Sequence, residues 1–290
     1  AFATLPSSSA FASEDVKFTV SAGLEYDDNI SVPSLDQTTG ESDVAAVFDF
    51  GTSYTPIKAN GKELDLTYDF YQSLHETYDD FDLQIHTLSV LGSWEIGDLD
   101  TSLSYGYSRI YLGGSELYAS YTVTPSVGFS GAESWYHLLS YAYLDKDFDS
   151  TSGRDAKQHN TASHWIISIS LWITAHVVLR LRAEDENAKD GELDYQGALV
   201  KVGLSTPLMM NSDVKLKVSY QHYWRDYDNV TASIAQKRDD EQGLVNIDLI
   251  KSLGDDMSVK LSYEYINADS NLSSADYNGN VGSVNFMMDF

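Results

Sequence analysis

Apolar and polar residues alternate along almost the whole chain, and the alternation is clearest between residues 214 and 225. Val214, Leu216 and Val218 fall on one face of this segment, and Lys215 and Lys217 fall on the other. Successive side chains of a β-strand point to opposite sides, so such a segment separates an apolar medium from a polar one. More than a dozen long segments of this kind follow one another, which predicts an all-β protein.

The pattern predicts fourteen strands at an average spacing of about 21 residues, near the length of a tall strand with its connection. Their expected bounds are Val16 to Tyr26, Val44 to Tyr54, Leu64 to Gln72, Leu83 to Ile96, Leu99 to Arg109, Leu117 to Phe129, Trp135 to Leu144, His159 to Ile173, His176 to Glu184, Tyr195 to Leu204, Val214 to Arg225, Gln242 to Lys251, Met257 to Ile266 and Asn280 to Phe290.

The connections between these segments alternate between long and short. Long polar loops are expected at residues 27–43, 145–158, 185–194, 226–241 and 267–279. Short joints are expected at Thr55-Pro56, Gly97-Asp98, residues 131–133, Thr174-Ala175 and residues 254–256. This rhythm predicts a transmembrane antiparallel up-and-down β-barrel of about 14 strands with both termini in the periplasm, since such barrels have short periplasmic turns and long outer loops.

Composition supports a barrel that spans the bacterial outer membrane. The 290 residues are 42% apolar, yet no apolar run approaches the roughly 18 residues of a membrane helix. A membrane protein of this composition must close its sheet, because an open edge leaves unpaired backbone groups in lipid. We therefore assign residues 15–290 to the barrel and residues 1–14 to an N-terminal tail or the remnant of an export signal.

Charged residues fall mainly on the polar faces, which would line the inside of the barrel. The strands from His176 to Ile266 contribute a predicted basic wall, made of Arg180, Arg182, Lys201, Lys215, Lys217, Arg225 and Lys260. The first five strands contribute a predicted acidic wall, made of Glu25, Asp49, Asp65, Asp69, Asp98 and Asp100. Strands half a circumference apart face each other, so we expect these walls to oppose one another across the lumen.

Two interpretations of these inward charges remain open. In the first they line a water-filled passage, open or gated, because fourteen strands enclose more room than the eight that side chains can fill. In the second they form salt bridges in a lumen that loops or packed side chains close, since buried charges need partners.

No arrangement of residues predicts catalysis, a metal or a cofactor. The seven histidines show no metal-ligand spacing, and the chain has no cysteine. His137 and His222 share the apolar faces of their strands, where a lipase on the outer face would carry Ser and His, but the sequence places no convergent Ser beside them. The formal net charge of −26 argues against nucleic acid, which requires a basic surface.

Both ends of the chain resemble known barrels. Residues 23–30, Gly-Leu-Glu-Tyr-Asp-Asp-Asn-Ile, resemble the first strand and loop of the outer-membrane β-barrel porin type 2 family of Gram-negative bacteria, some members of which belong to exopolysaccharide-secretion loci. The closing residues, with Phe286, Met288 and Phe290, resemble the signal that the barrel-assembly machinery recognises. The barrel of surface lipoprotein assembly modifiers is similar in size, but the helical-repeat domain of that family does not precede this barrel.

These observations predict a porin-like outer-membrane channel for polar solutes, or the outer-membrane exit for a secreted polysaccharide. The expected partners are outer-membrane lipids and lipopolysaccharide, the barrel-assembly machinery, the solute or polysaccharide itself, and periplasmic export proteins. The alternative is a non-conducting barrel that acts as a scaffold, anchor or translocation partner for surface or periplasmic proteins.

Overall fold

The structure is a computed structural model that describes residues 16–132, 134–170, 174–208 and 213–290. The predicted N-terminal tail, residues 1–14, lies outside the described residues. So do Glu133, which belongs to the predicted joint at residues 131–133, and residues 171–173, the predicted end of the eighth strand.

Within the described residues, fourteen strands form one closed antiparallel barrel, and two further short strands pair within the first loop. The strands are β1 (Val16–Asp27), β2 (Ser31–Val32), β3 (Gln37–Thr38), β4 (Asp43–Ala59), β5 (Lys62–His75), β6 (Leu83–Ile96), β7 (Leu99–Leu112), β8 (Ser115–Ala132), β9 (Trp135–Phe148), β10 (Ala156–Ser170), β11 (Thr174–Ala188), β12 (Tyr195–Pro207), β13 (Val214–Thr231), β14 (Gln236–Ser252), β15 (Met257–Ser270) and β16 (Tyr277–Asp289). In the described part of the chain, no helix combines the length and apolar character that a membrane span requires.

The barrel closes where the first strand meets the last. β1 pairs with β16 from Thr19↔Asp289 to Asp27↔Val281. Phe18 and Phe290 extend this ladder, since each donates its backbone N–H to the carbonyl of the other. The closed ring leaves no free edge, and the fourteen-strand all-β barrel predicted from the alternation is confirmed.

The outer face of the barrel carries an exposed apolar belt. Leu24, Leu88 and Leu261 are more than half exposed there, at 57%, 53% and 51%. Further members of the belt lie around the ring: Val20, Phe48, Leu103, Tyr121, Leu139, Leu181, Val202, Tyr220 and Val284. Apolar side chains exposed in such number around a whole ring require a lipid surrounding, because water penalises each one.

The first short turn differs from its prediction. β4 continues through Thr55 and Pro56 to Ala59, with a register shift between Tyr54 and Ile57. The chain reverses instead at Asn60 and Gly61, whose φ angles of 55° and 68° are left-handed. An Asn-Gly pair favours this two-residue hairpin turn, whereas Pro56 is accommodated at the bulge.

Several other predicted connections are shorter in the structure. The loop expected at residues 226–241 is mostly strand, because β13 extends to Thr231 and β14 begins at Gln236. Thr174 and Ala175, expected in a turn, begin β11. In both regions the backbone continues its pairing with the neighbouring strand through polar residues that the alternation had assigned to loops.

Leu117 lies on the inside of the barrel and not on the outer face predicted for it. A register shift next to Ile110 reverses its side relative to the rest of β8. Leu117 is buried with Val32, Ile110 and Phe148, which form a small apolar cluster inside the barrel. This cluster packs the first loop against the inner wall.

Candidate functional site: the lumen and its constriction

The basic wall predicted from the sequence lies on the lumen side of β11, β12, β13 and β15. Two of its members, Arg180 and Lys201, are paired directly across β11 and β12. A third, Lys217, is paired across β13 and β14 with an acidic residue, Asp248. Two other members form ion pairs with carboxylates on the same side of the barrel. Arg182 pairs with Glu184 at 2.9 Å, and Arg225 pairs with Asp240 at 3.9 Å. Within the described residues, five members of the wall have no ion pair within 4 Å: Arg180, Lys201, Lys215, Lys217 and Lys260.

The acidic wall lies on β1, β4, β5 and β7, with one exception. Glu25, Asp49 and Asp69 share the inner face with Ser21, since Glu25 and Ser21 alternate with the exposed Leu24 and Val20 of β1 and Ser21 pairs with Asp49. Asp65 accepts a hydrogen bond from Thr55 Oγ1 at 2.6 Å, and Asp100 faces Glu95 at the start of β7. Asp98 stands in the two-residue turn before β7 and does not line the wall, because the strand ends at Ile96.

The two walls face each other across the barrel. In the ring of fourteen strands, β4 and β11 lie seven positions apart, and so do β5 and β12. Asp49 and Asp69 therefore stand on the side opposite to Arg180 and Lys201. The charges produce a transverse electric field in the lumen, directed from the basic wall to the acidic one.

Toward the end of the barrel that bears the long loops, here called the loop end, the inner wall becomes a polar network. Lys146 and Glu186 form an ion pair at 2.7 Å, and Tyr195 donates a hydrogen bond to the same carboxylate at 3.0 Å. Tyr223 donates to Glu184. The guanidinium of Arg225 stacks on Tyr195 and Tyr223, at 4.6 and 4.8 Å from the ring centroids. These groups are fixed by their partners and give this half of the lumen a rigid, polar lining.

The first loop folds into the mouth of the barrel as a small hairpin, here called loop 1, residues 28–42. Ser31–Val32 pairs with Gln37–Thr38 across a single 3-10 turn at Pro33–Leu35. Asn29 Oδ1 closes the base of the hairpin by accepting hydrogen bonds from Thr38 Oγ1 and Gly40 N, at 2.6 and 3.0 Å. The hairpin is thus a compact unit and not the open polar loop that composition suggested.

Loop 1 spans the mouth from one side to the other. Val32 packs on Ile110 of β7, whereas Asp36 bonds to Arg238 of β14. β7 and β14 lie seven positions apart in the ring, so these two contacts are on opposite walls. Loop 1 is therefore a constriction of the lumen.

Two arginines hold the tip of loop 1 through one carboxylate. Asp36 Oδ1 accepts from Arg238 Nη2 at 2.7 Å, and Asp36 Oδ2 accepts from Arg154 Nη2 at 2.6 Å. Arg154 also donates to the carbonyls of Ser34 and Leu35, at 3.0 and 3.3 Å. Burial acts to raise the pKa of the Asp36 carboxyl, but the hydrogen bonds and charges of Arg238 and Arg154 outweigh it, so the pKa lies below its ordinary value.

The gaps beside the hairpin are narrow. A cavity of about 220 Å³ lies between Pro33, Lys146 and Tyr195, and a smaller one of about 60 Å³ lies between Pro33 and Tyr277. The loop end is thus narrowed by a loop and by paired charges, while Arg180, Lys201, Lys215, Lys217 and Lys260, which have no ion pair within 4 Å among the described residues, line other parts of the inner wall.

The pattern of apolar and polar residues does not predict the constriction. Asp36, Arg154 and Arg238 were assigned to polar loops, and their contacts join positions more than one hundred residues apart. One signal was available: Ile30, Val32 and Leu35 are apolar residues within a loop that should be polar if it were fully solvated. Ile30 and Val32 are in fact buried, at 4% and 9% exposure.

On the outer face, His137 does have a serine beside it, contrary to the sequence-based expectation. His137 Nε2 lies 2.9 Å from Ser163 Oγ, and its ring stacks on Trp165 at a centroid distance of 3.8 Å. His137 Nδ1 has no hydrogen-bond partner among the described residues, so no acidic or amide group orients the ring. His222 contacts Tyr220, Trp224 and Glu241.

The residues predicted to form the assembly signal lie on the outer face of the closing strand. Phe286 and Phe290 are 43% and 40% exposed, and Met288 pairs with Val20 of β1. In the described part of the chain, no group of three or more potential metal ligands comes together.

The fold is similar to that of bacterial outer-membrane porins. An anion-selective porin from Comamonas acidovorans matches with a TM-score of 0.56 at 8% identity, covering 95% of this chain and 98% of that one. Outer-membrane expressed OmpT of Vibrio cholerae matches with a TM-score of 0.56 at 10% identity, covering 95% and 97%. At this identity the likeness establishes the fold, an outer-membrane β-barrel, and no more.

No protein-family model matches the chain, and no curated protein matches it in sequence. The resemblance to the porin type 2 family therefore stays a prediction. Its coarser content, a likeness to outer-membrane porins, is confirmed at the level of the fold.

Proposed function

We propose that the protein is an outer-membrane channel for small polar solutes, with anionic ones guided along the basic wall. The observation that carries the proposal is the set of five lumen cations without an ion-pair partner among the described residues, opposite a wall of carboxylates. A sealed core would leave each of these charges at a large energetic cost, whereas a water-filled lumen solvates them. The matched Comamonas porin bears the description anion-selective, which accords with this proposal.

The narrower role, as the exit for a secreted polysaccharide, is supported by the tyrosines that accompany the basic wall. Tyr195, Tyr223 and Tyr227 are buried beside Arg225 on the inner face of β12 and β13. Pro33 of loop 1 lines the cavities beside these rings, so an acidic sugar chain would reach the rings and the Arg225 guanidinium once the tip of loop 1 moves away. Periplasmic export proteins would be partners of that role, with the termini on the periplasmic side.

Planar-bilayer recordings in a KCl gradient test the channel and its basic wall. We expect discrete conductance steps for the purified barrel, and current that never leaves the baseline would favour the non-conducting scaffold. Replacing both Arg180 and Lys201 by Gln removes two unpaired lumen cations. The reversal potential should then move toward that of K⁺, because the lumen attracts less chloride.

A matched control is Lys251→Gln, which removes a cation from the end of β14, where Lys251 is half exposed and pairs with Asp213 at 3.3 Å. This variant should keep the reversal potential of the wild type. Equal reversal potentials for all three proteins would contradict the role of the basic wall.

A further inference from the structure

The Asp36 carboxylate occupies a position that has the chemistry of an oxyanion receptor. Arg154 comes from the loop between β9 and β10, and Arg238 comes from β14, yet both guanidinium groups reach the same carboxylate, at 2.6 and 2.7 Å. Planar guanidinium groups are the preferred partners of carboxylate and phosphate, because they donate parallel hydrogen bonds. The side chains are well covered, with 10% of Asp36 and 3% of Arg238 exposed.

The Arg238 half of the receptor would remain in place if Asp36 left it. Arg238 keeps both hydrogen bonds to Asp240, at 2.9 and 2.7 Å, and stacks on Tyr227 at 4.6 Å from the ring centroid. Arg154, by contrast, donates all its hydrogen bonds to loop 1. Withdrawal of Arg154 from these acceptors would therefore remove three hydrogen bonds from the tip of the hairpin.

The occupant is itself in an unfavourable conformation. Asp36 has a φ of 55° and a ψ of 43°, the left-handed region that a residue other than glycine adopts at a cost. Asp and Asn tolerate this region better than most residues do. The two arginines thus hold the Asp36 side of the hairpin, while Val32 and its apolar cluster hold the opposite side.

A cavity adjoins this position at the loop end. A cavity of about 510 Å³ is lined by Asp36, Arg154 and Arg238 together with loop residues of the barrel mouth. Asp190 and Glu192 also line it, and each accepts a hydrogen bond from a backbone N–H, at 3.2 and 2.9 Å, which offsets part of their charge. The cavity is large enough for a phosphate group or a single acidic sugar.

We propose that Arg154 and Arg238 form a binding site for oxyanions, that Asp36 is its internal occupant, and that an entering carboxylate or phosphate displaces Asp36 and frees the Asp36 side of loop 1 from β14 and the β9–β10 loop. The inference deepens the proposed channel function, for which it provides a solute-dependent opening. The binding site itself does not depend on ion flow and can be tested without it.

The competition sets the concentration at which opening should occur. A carboxylate tethered by a short loop acts at an effective concentration in the millimolar range. A free anion that makes similar hydrogen bonds must therefore reach about millimolar concentration to displace it. The site suits a solute that is abundant near the cell surface and not a trace ligand.

The chain has no cysteine, so a single label can report on loop 1. Gln37→Cys places a spin label on the exposed second strand of the hairpin. The full-length protein is refolded in lipid-free detergent, which excludes lipid headgroups as the source of phosphate. Label mobility is then measured against inorganic phosphate and against glucuronate, with chloride at matched ionic strength as the reference.

We expect phosphate and glucuronate to mobilise the label with a half-effect at about millimolar concentration, while chloride leaves it immobile. Asp36→Asn retains the left-handed conformation and removes the charge, so its label should be mobile without any anion and should not respond further. Arg154→Gln should behave in the same way. Lys189→Gln, which removes an exposed cation at the same end, should respond as the wild type does.

A wild-type label that responds equally to chloride and phosphate would overturn the proposal, as would an Asp36→Asn label that still responds to phosphate. Failure of the channel proposal is distinguishable from these outcomes. A barrel whose label responds to phosphate but which carries no current in a bilayer has the oxyanion site and lacks the channel.

Discussion

At the scale of single residues, the state of the lumen depends most directly on Asp36. Its two oxygens bond to guanidinium groups from different walls, so one side chain joins loop 1 to both the β9–β10 loop and β14. Without Asp36, Arg154 loses its ion-pair partner, whereas Arg238 keeps Asp240. Substitutions here should release loop 1 without unfolding the barrel, because the strands pair independently of it.

Loop 1 should also respond to strong acid. The pKa of Asp36 lies below its ordinary value, so the ionised carboxylate stabilises the closed hairpin throughout the range above that ordinary value. The stabilisation is lost only as the pH falls through the lowered pKa. The label at Gln37→Cys should therefore stay immobile from pH 7 to about 4, the ordinary value for Asp, and become mobile below it.

Asp36→Asn is the control for this pH dependence, since its label should show no transition over the same range. Asp240 and the two arginines face Asp36 in the structure, and Arg154 and Arg238 remain charged throughout. A transition near pH 6 would point to a histidine and contradict the role of Asp36.

The sequence determines which face each residue occupies wherever pairing is regular. Lys215, Lys217 and Lys260 lie inside as the alternation predicts, because period-two geometry allows no other outcome once Leu216 and Leu261 face lipid. Leu117 is inside because a bulge shifts the register, and a bulge has no signature in apolar periodicity. Ser163 and His137 share the outer face by the same alternation, but only the pairing of β9 with β10 shows that they touch.

At the scale of elements, turn chemistry decides where strands end. Thr55-Pro56 suggests a turn, because proline has no backbone N–H to donate to a neighbouring strand. The Asn60-Gly61 pair has the stronger preference for a hairpin turn, and the chain reverses there. The bounds of β11 and β12 could be predicted to within a few residues. The inward fold of loop 1 could not, because Asp36 meets Arg238 across 202 positions of sequence.

The closing pair of strands provides a test of the assembly signal. Phe290 exchanges two backbone hydrogen bonds with Phe18 and places an aromatic ring on the outer face. Phe290→Ala should lower the amount of folded barrel in the outer membrane several-fold, because the ring is the part that the assembly machinery is expected to recognise. The measurement is the heat-modifiable fraction on unheated gels of membrane extracts.

Phe48→Ala is the matched variant, since Phe48 is an outer-face ring of β4 with 42% exposure, close to the 40% of Phe290. It removes an aromatic side chain of similar exposure from β4, a strand that does not carry the predicted assembly signal. Equal losses for the two variants would show that burial of the ring in lipid matters and that recognition of the chain end does not.

At the scale of the whole molecule, one closed sheet separates lipid from a charged interior. The apolar belt continues around all sides, and the two charged walls lie within it. Adjacent residues of a strand face lipid and the lumen in turn. A charged substitution should therefore lower the stability of the barrel at a lipid-facing residue and have little effect at the next residue.

Leu88 and Ser89 of β6 make this comparison directly. Leu88 is 53% exposed on the outer face, whereas Ser89 pairs with Thr67 and Gly106 on the inner face. Leu88→Arg should destabilise the barrel in lipid vesicles by about 2–4 kcal/mol, the cost of arginine near the midplane of a barrel's outer surface. Ser89→Arg should cost little, because its guanidinium reaches water. The free energy of unfolding of both variants is measured in lipid vesicles with guanidinium chloride as the denaturant. Equal losses of stability would contradict a membrane-spanning belt.

The two-sided wall also restricts how the length of this polypeptide can change over generations. Deleting one codon of β6 before Leu88 would turn every following side chain of that strand to the opposite face, so that Leu88 would enter the lumen and Ser89 would face lipid. Inserting or deleting two residues would keep each side chain on its original face. It would still shift the hydrogen-bond register of the strand with both adjacent strands. We expect insertions and deletions among related sequences to accumulate in the loops. Loop 1 illustrates how a loop can differ in length and still fold into the barrel without changing the pairing of the strands.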